Sequence, residues 1–269
     1  MFRTRLLSSV ILMIIMITVV VTGGNLLFAA LFIVSLIGMM ELYRVVGVNK
    51  AFPGVLGYLA CAVYYLQVYY KTGRYELMTF IIFLMLLMFA YVFGFPKFKT
   101  EQIAVSFLGL FYVAVMLSYI YQVRCLPDGA ILVWLIFIGA WGSDTFAYCI
   151  GMLIGKHKVA PKLSPKKSVE GCIGGIVGAA LLGFLFATVL RKWIHGIDNP
   201  QLAFALIGAA SSVISQIGDL AASAIKRNHD IKDYGRLIPG HGGILDRFDS
   251  IIFTAPIVYY LVTISVLKH

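Results

Sequence analysis

Long unbroken runs of apolar residues recur along the whole of this 269-residue chain. A helix needs roughly 20 apolar residues to cross a bilayer, because it must satisfy its backbone hydrogen bonds within the segment. The runs are not the short segments of alternating hydrophobicity that are typical of a membrane β-barrel. We therefore predict an all-α, polytopic integral membrane protein.

The composition excludes two other classes of protein. Hydrophobic residues make up 61% of the chain and charged residues only 13%, and the mean hydropathy is +0.92. Soluble domains carry about 25% charged residues, and disordered chains combine low hydrophobicity with high charge. The chain is therefore neither an ordinary soluble enzyme nor a disordered protein.

The apolar runs predict about nine transmembrane helices. The first run follows Arg3 and Arg5, as in a signal peptide, but it is too long for one and no A-x-A cleavage site follows. We predict that it is retained as a span. The predicted spans are residues 6–21, 26–43, 54–70, 77–95, 103–123, 130–154, 171–190, 202–225 and 248–267.

The basic residues predict the orientation of these spans. With the N-terminus inside, 16 of the 22 Lys and Arg residues fall in inside segments, which matches the positive-inside rule. We expect a cytoplasmic N-terminus and an outside C-terminus.

The net charge of +10 predicts attraction to anionic membrane lipid, and not nucleic-acid binding, since there is no soluble basic fold. Ten of the 16 charges lie in two loops, 155–170 and 226–247, which we expect to converge on one site.

Carboxylates lie inside or next to the apolar runs, where a charge is costly and therefore indicates function. Asp144 lies in the sixth predicted span, Asp219 in the eighth, and Asp246 and Asp249 at the start of the ninth. Asp246 and Asp249 share a helix face and repel each other unless a cation bridges them. Oxygen ligands of this kind suit magnesium. Glu41, at the inner end of the second span, is expected to be solvated at the interface.

Three polar residues share one face of the eighth predicted span. Asp219, Ser223 and Lys226 are spaced i, i+4 and i+7, which places a carboxylate, a hydroxyl and an ammonium group side by side on a helix. One interpretation is a functional site. The alternative is an internal ion pair between Asp219 and Lys226 or a neighbouring cation.

The two basic loops have the composition of phosphate-binding segments. Residues 155–171 contain five lysines and two prolines, which predicts a non-helical loop that contacts either lipid headgroups or phosphates. In the second loop, Gly242 and Gly243 precede the ninth span and let backbone N–H groups approach an anion. A structural turn is the alternative interpretation of this glycine segment, and a hydrogen-bonded loop histidine is the alternative for His241.

Carboxylates, basic loops and a glycine turn at one membrane interface together predict metal-assisted phosphoryl or nucleotidyl transfer. The alternative is a cation-coupled membrane transporter that uses Asp144 and Asp219 as ion sites. A CDP-alcohol phosphotransferase is disfavoured, because Asp128-Gly129 lacks the Ala-Arg continuation of that motif.

Residues 223–249, SAIKRNHDIKDYGRLIPGHGGILDRFD, resemble the signature of the phosphatidate cytidylyltransferases, also called CDP-diacylglycerol synthases. The segments SDTFAY (143–148), GKHK (155–158) and SPKKSVEG (164–171) are also similar to the family, apart from Phe146, where glycine is common. The resemblance covers about the C-terminal half of the chain. The first five spans match only in hydropathy and number.

The resemblance implies a transfer of CMP from CTP to phosphatidic acid, which yields CDP-diacylglycerol and pyrophosphate. It also implies a divalent cation, usually Mg²⁺ with a possible second metal ion, a location in the inner or plasma membrane with the site facing the cytoplasm, and a homodimer. We expect one membrane domain over residues 1–269, in which 1–125 are structural, dimer-forming or lipid-facing helices and 126–269 carry catalysis.

The resemblance and the charges together assign roles to the candidate residues. The expected catalytic residues are Asp219, Asp246, Lys226, Ser223 and Asp249. The expected metal ligands are Asp219 and Asp246, with Asp144 and Asp249 as further ligands or supporting groups. The expected substrate-binding residues are Lys166, Lys167, Arg227, His241, Gly242, Gly243 and Arg247.

Overall fold

The computed structural model describes residues 2–238, 240 and 242–266, so the predicted site residue His241 lies outside the described residues. The described chain consists of long helices and one short β-hairpin. The helices are α1 (Phe2–Thr22), α2 (Gly24–Val45), α3 (Phe52–Tyr69), α4 (Glu76–Phe93), α5 (Thr100–Arg124), α6 (Gly129–Ile154), α7 (Val169–Leu190), α8 (Pro200–Asn228) and α9 (Leu245–Val266). The strands are β1 (Lys158–Ala160) and β2 (Ser164–Ser168).

Within the described part of the chain, eight helices, α2 to α9, are long and apolar enough to cross a membrane. The apolar part of α1, Ser8–Thr22, is shorter. The predicted all-α, polytopic membrane fold is therefore confirmed. The number of crossings and the direction of the termini stay predictions.

The helices form two compact units. The first contains Met1–Tyr121 and Asp233–Arg247, and the second contains Gln122–Lys232 and Phe248–His269. The segment Asp233–Arg247, which carries much of the family-like signature, thus belongs with the N-terminal helices. The sequence predicted no such exchange between the two halves of the chain.

Buried tyrosines connect the helices of the first unit. The Tyr43 hydroxyl donates to the Ser106 carbonyl at 2.6 Å, and the hydroxyls of Tyr64 and Tyr65 pair with Ser118 and Ser35 at 2.9 and 2.7 Å. Each polar tip is satisfied while the ring fills the core, as buried tyrosine requires. These bonds join α2, α3 and α5.

Close packing of α7 against α8 organises the second unit. A Cβ atom on Gly208 would lie 2.6 Å from the Ala179 carbonyl oxygen, and one on Gly183 would overlap the Phe204 carbonyl. Small residues let transmembrane backbones approach this closely. Gln216 Nε2 adds a hydrogen bond from α8 to the Cys172 carbonyl of α7 at 3.1 Å.

The basic loop between α6 and α7 forms an antiparallel hairpin, in which Lys158 pairs with Ser168 and Ala160 with Ser164. The sequence predicted a non-helical segment here but not its strands. At the end of β2 the Ser168 side chain caps α7 by accepting from the Gly171 N–H at 3.2 Å. Glu170, in the first turn of α7, accepts from the Lys156 N–H at 3.1 Å and pairs with His157 Nδ1 at 2.6 Å. The hairpin is therefore fixed to α7 at both ends.

Candidate active site

An ion pair between the hairpin and α8 forms the centre of the candidate site in the second unit. The Lys167 Nζ lies 2.5 Å from Asp219 Oδ2, and the side chains are 21% and 28% exposed. The sequence left an ion pair of Asp219 with Lys226 or a neighbouring cation as an alternative. The structure shows such a pair, with Lys167 of β2 as the cation.

Two further carboxylates of the second unit interact with Asp219. Asp144 lies within α6, just after a π-helical segment of that helix, Ile138–Gly142, a distortion that is frequent at functional sites. It is repelled by Asp219, attracted by Lys167 and hydrogen-bonded by the Ser250 side chain. Asp249 is repelled by Asp219 and Asp144 and attracted by Lys226. Three mutually repelling carboxylates are thus combined with two lysines.

This group has the donor chemistry of a site for a hard divalent cation. Among the residues that the structure describes, no three His, Cys, Asp or Glu side chains are arranged so as to hold a metal ion. The carboxylate oxygens are nevertheless the ligand type that Mg²⁺ prefers, and a cation would relieve their mutual repulsion. The residues therefore fit Mg²⁺ by their chemistry.

A cavity of about 540 Å³ opens beside the hairpin. Its size is within the usual range for small-molecule sites. Lysines of the hairpin contribute to its lining, and Asp144 and Gln216 contribute further polar groups. The charged and polar lining includes Asp144, Lys158, Ser164, Lys166, Lys167 and Gln216. The lining of the cavity thus contains both a carboxylate and basic side chains, and the basic side chains suit an anionic ligand.

The other α8 candidates lie in its last two turns. Asp219, Ser223 and Lys226 belong to one uninterrupted helix, as the predicted shared face requires. Ser223 and Lys226 are half-buried, whereas Arg227 is exposed. Lys166 is exposed, unlike the neighbouring Lys167, because successive residues of a strand point to opposite faces.

In the first unit, the Asp246 carboxylate is held by backbone N–H groups of the glycine turn. Its Oδ2 accepts from Tyr234 at 2.8 Å and from Gly243 at 3.0 Å, and the residue is only 7% exposed. The Gly243 N–H, which the sequence assigned to an anionic ligand, therefore donates to Asp246. The turn is closed by a bond from the Ile238 N–H to the Gly242 carbonyl at 2.9 Å. Arg247 is exposed.

The conformation of the turn explains one of its glycines. Gly242 has a φ of +86°, in the left-handed region that residues with a side chain rarely adopt. A Cβ atom there would also lie 2.9 Å from Asp246 Oδ2. The structural interpretation of the glycine segment therefore accounts for Gly242 without a ligand.

Glu41 corrects an expectation drawn from the sequence. We expected a solvated interfacial carboxylate, but the residue is 1% exposed. Its Oε2 accepts from the Leu245 N–H at 2.8 Å and its Oε1 from the Ile244 N–H at 3.1 Å. The sequence could not show this, because the partners lie about 200 residues away and a carboxylate at the end of an apolar run is equally compatible with the interface.

The fold and the site define a class, namely a multi-pass α-helical membrane protein with a polar cavity lined by lysines and carboxylates. A family model described as the Cytidylyltransferase family matches residues 3–265. The chain therefore belongs to the Cytidylyltransferase family and is an enzyme of the nucleotidyltransferase class.

The chain also resembles curated members of this family along nearly its full length. It is 32% identical over 268 residues to the phosphatidate cytidylyltransferase of Bacillus subtilis, covering 97% of this chain and 98% of the relative. It is 32% identical over 288 residues to the phosphatidate cytidylyltransferase of Synechocystis, covering 97% and 96%. The phosphatidate cytidylyltransferase of Haemophilus influenzae is 42% identical over 132 residues, which cover 49% of this chain and 46% of the relative.

Proposed function

We propose that the protein transfers CMP from CTP to phosphatidic acid and thereby produces CDP-diacylglycerol and pyrophosphate. The observation that carries this proposal is the cavity beside the hairpin, whose lining combines Lys166 and Lys167 with the Asp144 carboxylate. Family membership and the names of the full-length relatives support the substrate pair.

In the proposed reaction a phosphate oxygen of phosphatidic acid attacks the α-phosphorus of CTP. A new P–O bond forms, the bond from the α-phosphorus to the oxygen that bridges to the β-phosphate breaks, and pyrophosphate leaves with that electron pair. The attacking oxygen is already anionic at neutral pH, so no strong general base is required. The main barrier is the approach of two polyanions, which positioned positive charge lowers.

We propose that Asp219, Asp144 and Asp249 would hold Mg²⁺. The assignment of Asp246 as a further ligand stays a prediction from the sequence, where it comes one helical turn before Asp249. When bound, the cation neutralises phosphate charge and the charge that develops on the leaving pyrophosphate. Lys167 holds Asp219 in position through their ion pair, and Lys166 supplies positive charge to the triphosphate. Ser223, Lys226 and Arg227 bind substrate phosphates near the end of α8.

We further propose a plasma-membrane location with this site on the cytoplasmic side. The concentration of basic residues in the two loops that carry the site residues supports that orientation. CTP is a charged, water-soluble nucleotide, so a cytoplasmic site would give it direct access.

The position of a radioactive label tests the proposed bond cleavage. With CTP labelled at the α-phosphate, label should appear in the lipid product, whereas label at the γ-phosphate should appear only in pyrophosphate. Asp219→Asn should abolish both the labelling of lipid and the release of labelled pyrophosphate. Asp198→Asn is the control, because it removes an exposed carboxylate from the loop before α8, and it should retain both. Transfer of the γ-label to lipid would instead indicate a kinase and would refute the proposal.

A further inference from the structure

Glu41 is a buried carboxylate for which the proposed reaction has no direct use. It lies in the last turns of α2 and is 1% exposed. A charged side chain within an apolar span is costly and is rarely retained without a role. The nearby Asp246 carboxylate repels it, while Arg44 attracts it. Its retention next to another carboxylate therefore calls for a compensating function.

The contacts of Glu41 show what it does locally. Its two oxygens accept hydrogen bonds from two successive backbone groups, the N–H of Ile244 at 3.1 Å and the N–H of Leu245 at 2.8 Å. The first N–H groups of a helix have no partner within the helix, and the helix dipole favours a negative charge there. Glu41 therefore anchors the start of α9 to α2, immediately before Asp246.

The glycine turn is packed around the same carboxylate. A Cβ atom on Gly235 or on Gly243 would overlap the Glu41 side chain. The same two glycines are next to, or part of, the groups that bind Asp246. Gly235 directly follows Tyr234, whose N–H donates to Asp246 Oδ2, and Gly243 donates to that oxygen with its own N–H. Glu41 and Asp246 are thus bound to the same short backbone segments, within one compact unit.

We infer that Glu41 is a positioning residue, which fixes the glycine turn and the first turn of α9 so that the Asp246 carboxylate is held in one orientation. In this role Glu41 is not a ligand of substrate or metal and acts through Asp246. The consequence for catalysis rests on the proposed function, in which Asp246 is a metal ligand. The consequence for the backbone of residues 233–247 does not depend on it.

Hydrogen exchange measured by mass spectrometry tests the backbone consequence without any activity. In Glu41→Gln one carboxylate oxygen becomes an NH₂ group, which cannot accept from a backbone N–H. Peptides that cover residues 233–247 should exchange faster in this variant, and peptides from α7 and α8 should be unchanged. The matched control is Glu101→Gln, an exposed glutamate in the first turn of α5, which should exchange like wild type in residues 233–247. Unchanged exchange there in Glu41→Gln would overturn the inference.

Steady-state kinetics tests the catalytic consequence. Relative to folded, monodisperse wild type, Glu41→Gln should lower kcat by roughly tenfold to a hundredfold, as a small misplacement of a catalytic group does. It should also raise the Mg²⁺ concentration for half-maximal activity and leave the KM for phosphatidic acid unchanged. A purely structural role would reduce the folded fraction and leave kcat per folded molecule and the Mg²⁺ dependence at wild-type values, which would overturn the inference.

The two proposals fail in different ways. If wild type itself makes no CDP-diacylglycerol, the proposed function fails, and the exchange experiment still decides whether Glu41 orders residues 233–247. If wild type is active and Glu41→Gln is equally active with the same Mg²⁺ dependence, the proposed function stands and the role of Glu41 is refuted.

Discussion

Individual carboxylates of this protein differ in what compensates for their burial. Asp219 forms an ion pair with a lysine, whereas Asp246 and Glu41 accept hydrogen bonds from backbone N–H groups. Asp249 is repelled by neighbouring carboxylates and attracted by Lys226. The sequence indicated Asp144, Asp219, Asp246 and Asp249 because acidic residues in apolar runs are rare. It could not identify their partners, since a partner such as Lys167 lies about 50 residues away in a separate element.

Replacement of Asp246 by Asn should remove nearly all turnover while the protein still folds and inserts into the membrane. The amide retains an oxygen that can accept from Tyr234 and Gly243 but loses the charge that a metal requires. We expect kcat to fall by about 10²–10³-fold, the usual size of a lost electrostatic contact to a transition state. The assay is CDP-diacylglycerol formation by purified protein of verified monodispersity. Substantial remaining activity would refute the metal role of Asp246.

Lys166 and Lys167 should respond differently to replacement by methionine. Lys167→Met removes the partner of a half-buried carboxylate and should lower both the melting temperature and kcat. Lys166→Met removes an exposed charge and should raise the KM for CTP with little effect on the melting temperature. Thermal unfolding and kinetics of both variants measure this contrast. Equal melting temperatures for the two variants would contradict the structural role of the Lys167–Asp219 pair.

The helices and the hairpin are held in position by two kinds of local interaction, close packing of small residues and hydrogen bonds at the helix ends. Small residues bring α7 and α8 together, which fixes Gln216 against Cys172. Caps and backbone bonds from Ser168 and Glu170 fix the hairpin at the start of α7. The helices were predictable, because apolar runs of this length have few alternatives in a membrane. The hairpin was not, since its sequence of lysines and prolines carries no strand pattern.

The close contact of α7 and α8 predicts a strong effect of side-chain size at Gly208. In Gly208→Val the new side chain would collide with the Ala179 backbone, so the helices must separate. We expect a loss of roughly 1–3 kcal/mol or more, the usual cost of overpacking, seen as a lower melting temperature in detergent. Gly73→Val is the control, because a Cβ there has only ordinary contact, at 3.4 Å from Glu76. Equal melting temperatures for both variants would contradict the packing described for α7 and α8.

The division of the chain into two units is the feature that the sequence did not reveal. Hydropathy gives the helices in order but contains no information on which of them pack together. Residues 233–247 belong with the N-terminal helices, and only contacts such as those of Glu41 with Ile244 and Leu245 show why. The predicted direction of insertion depends on loop charges alone and needs its own test.

Cysteine labelling in intact cells should report that direction. The native Cys125 is exposed and follows α5, in a loop predicted to lie outside, so a membrane-impermeant maleimide should label it. In a variant whose native cysteines are all replaced, Lys97→Cys places a single cysteine in a loop predicted to lie inside. This cysteine should react only after the cells are permeabilised. The reverse pattern would invert the topology and place the candidate site on the outer side.

The central claim is that this membrane protein is a CTP-dependent nucleotidyltransferase that acts on phosphatidic acid. The most direct measurement uses purified protein in detergent with phosphatidic acid, CTP and Mg²⁺, and follows lipid-linked cytidine and pyrophosphate together, with a chelator control. The account predicts equal amounts of both products, and neither product in the presence of the chelator. Folded, monodisperse protein that forms neither product with Mg²⁺ present would contradict it.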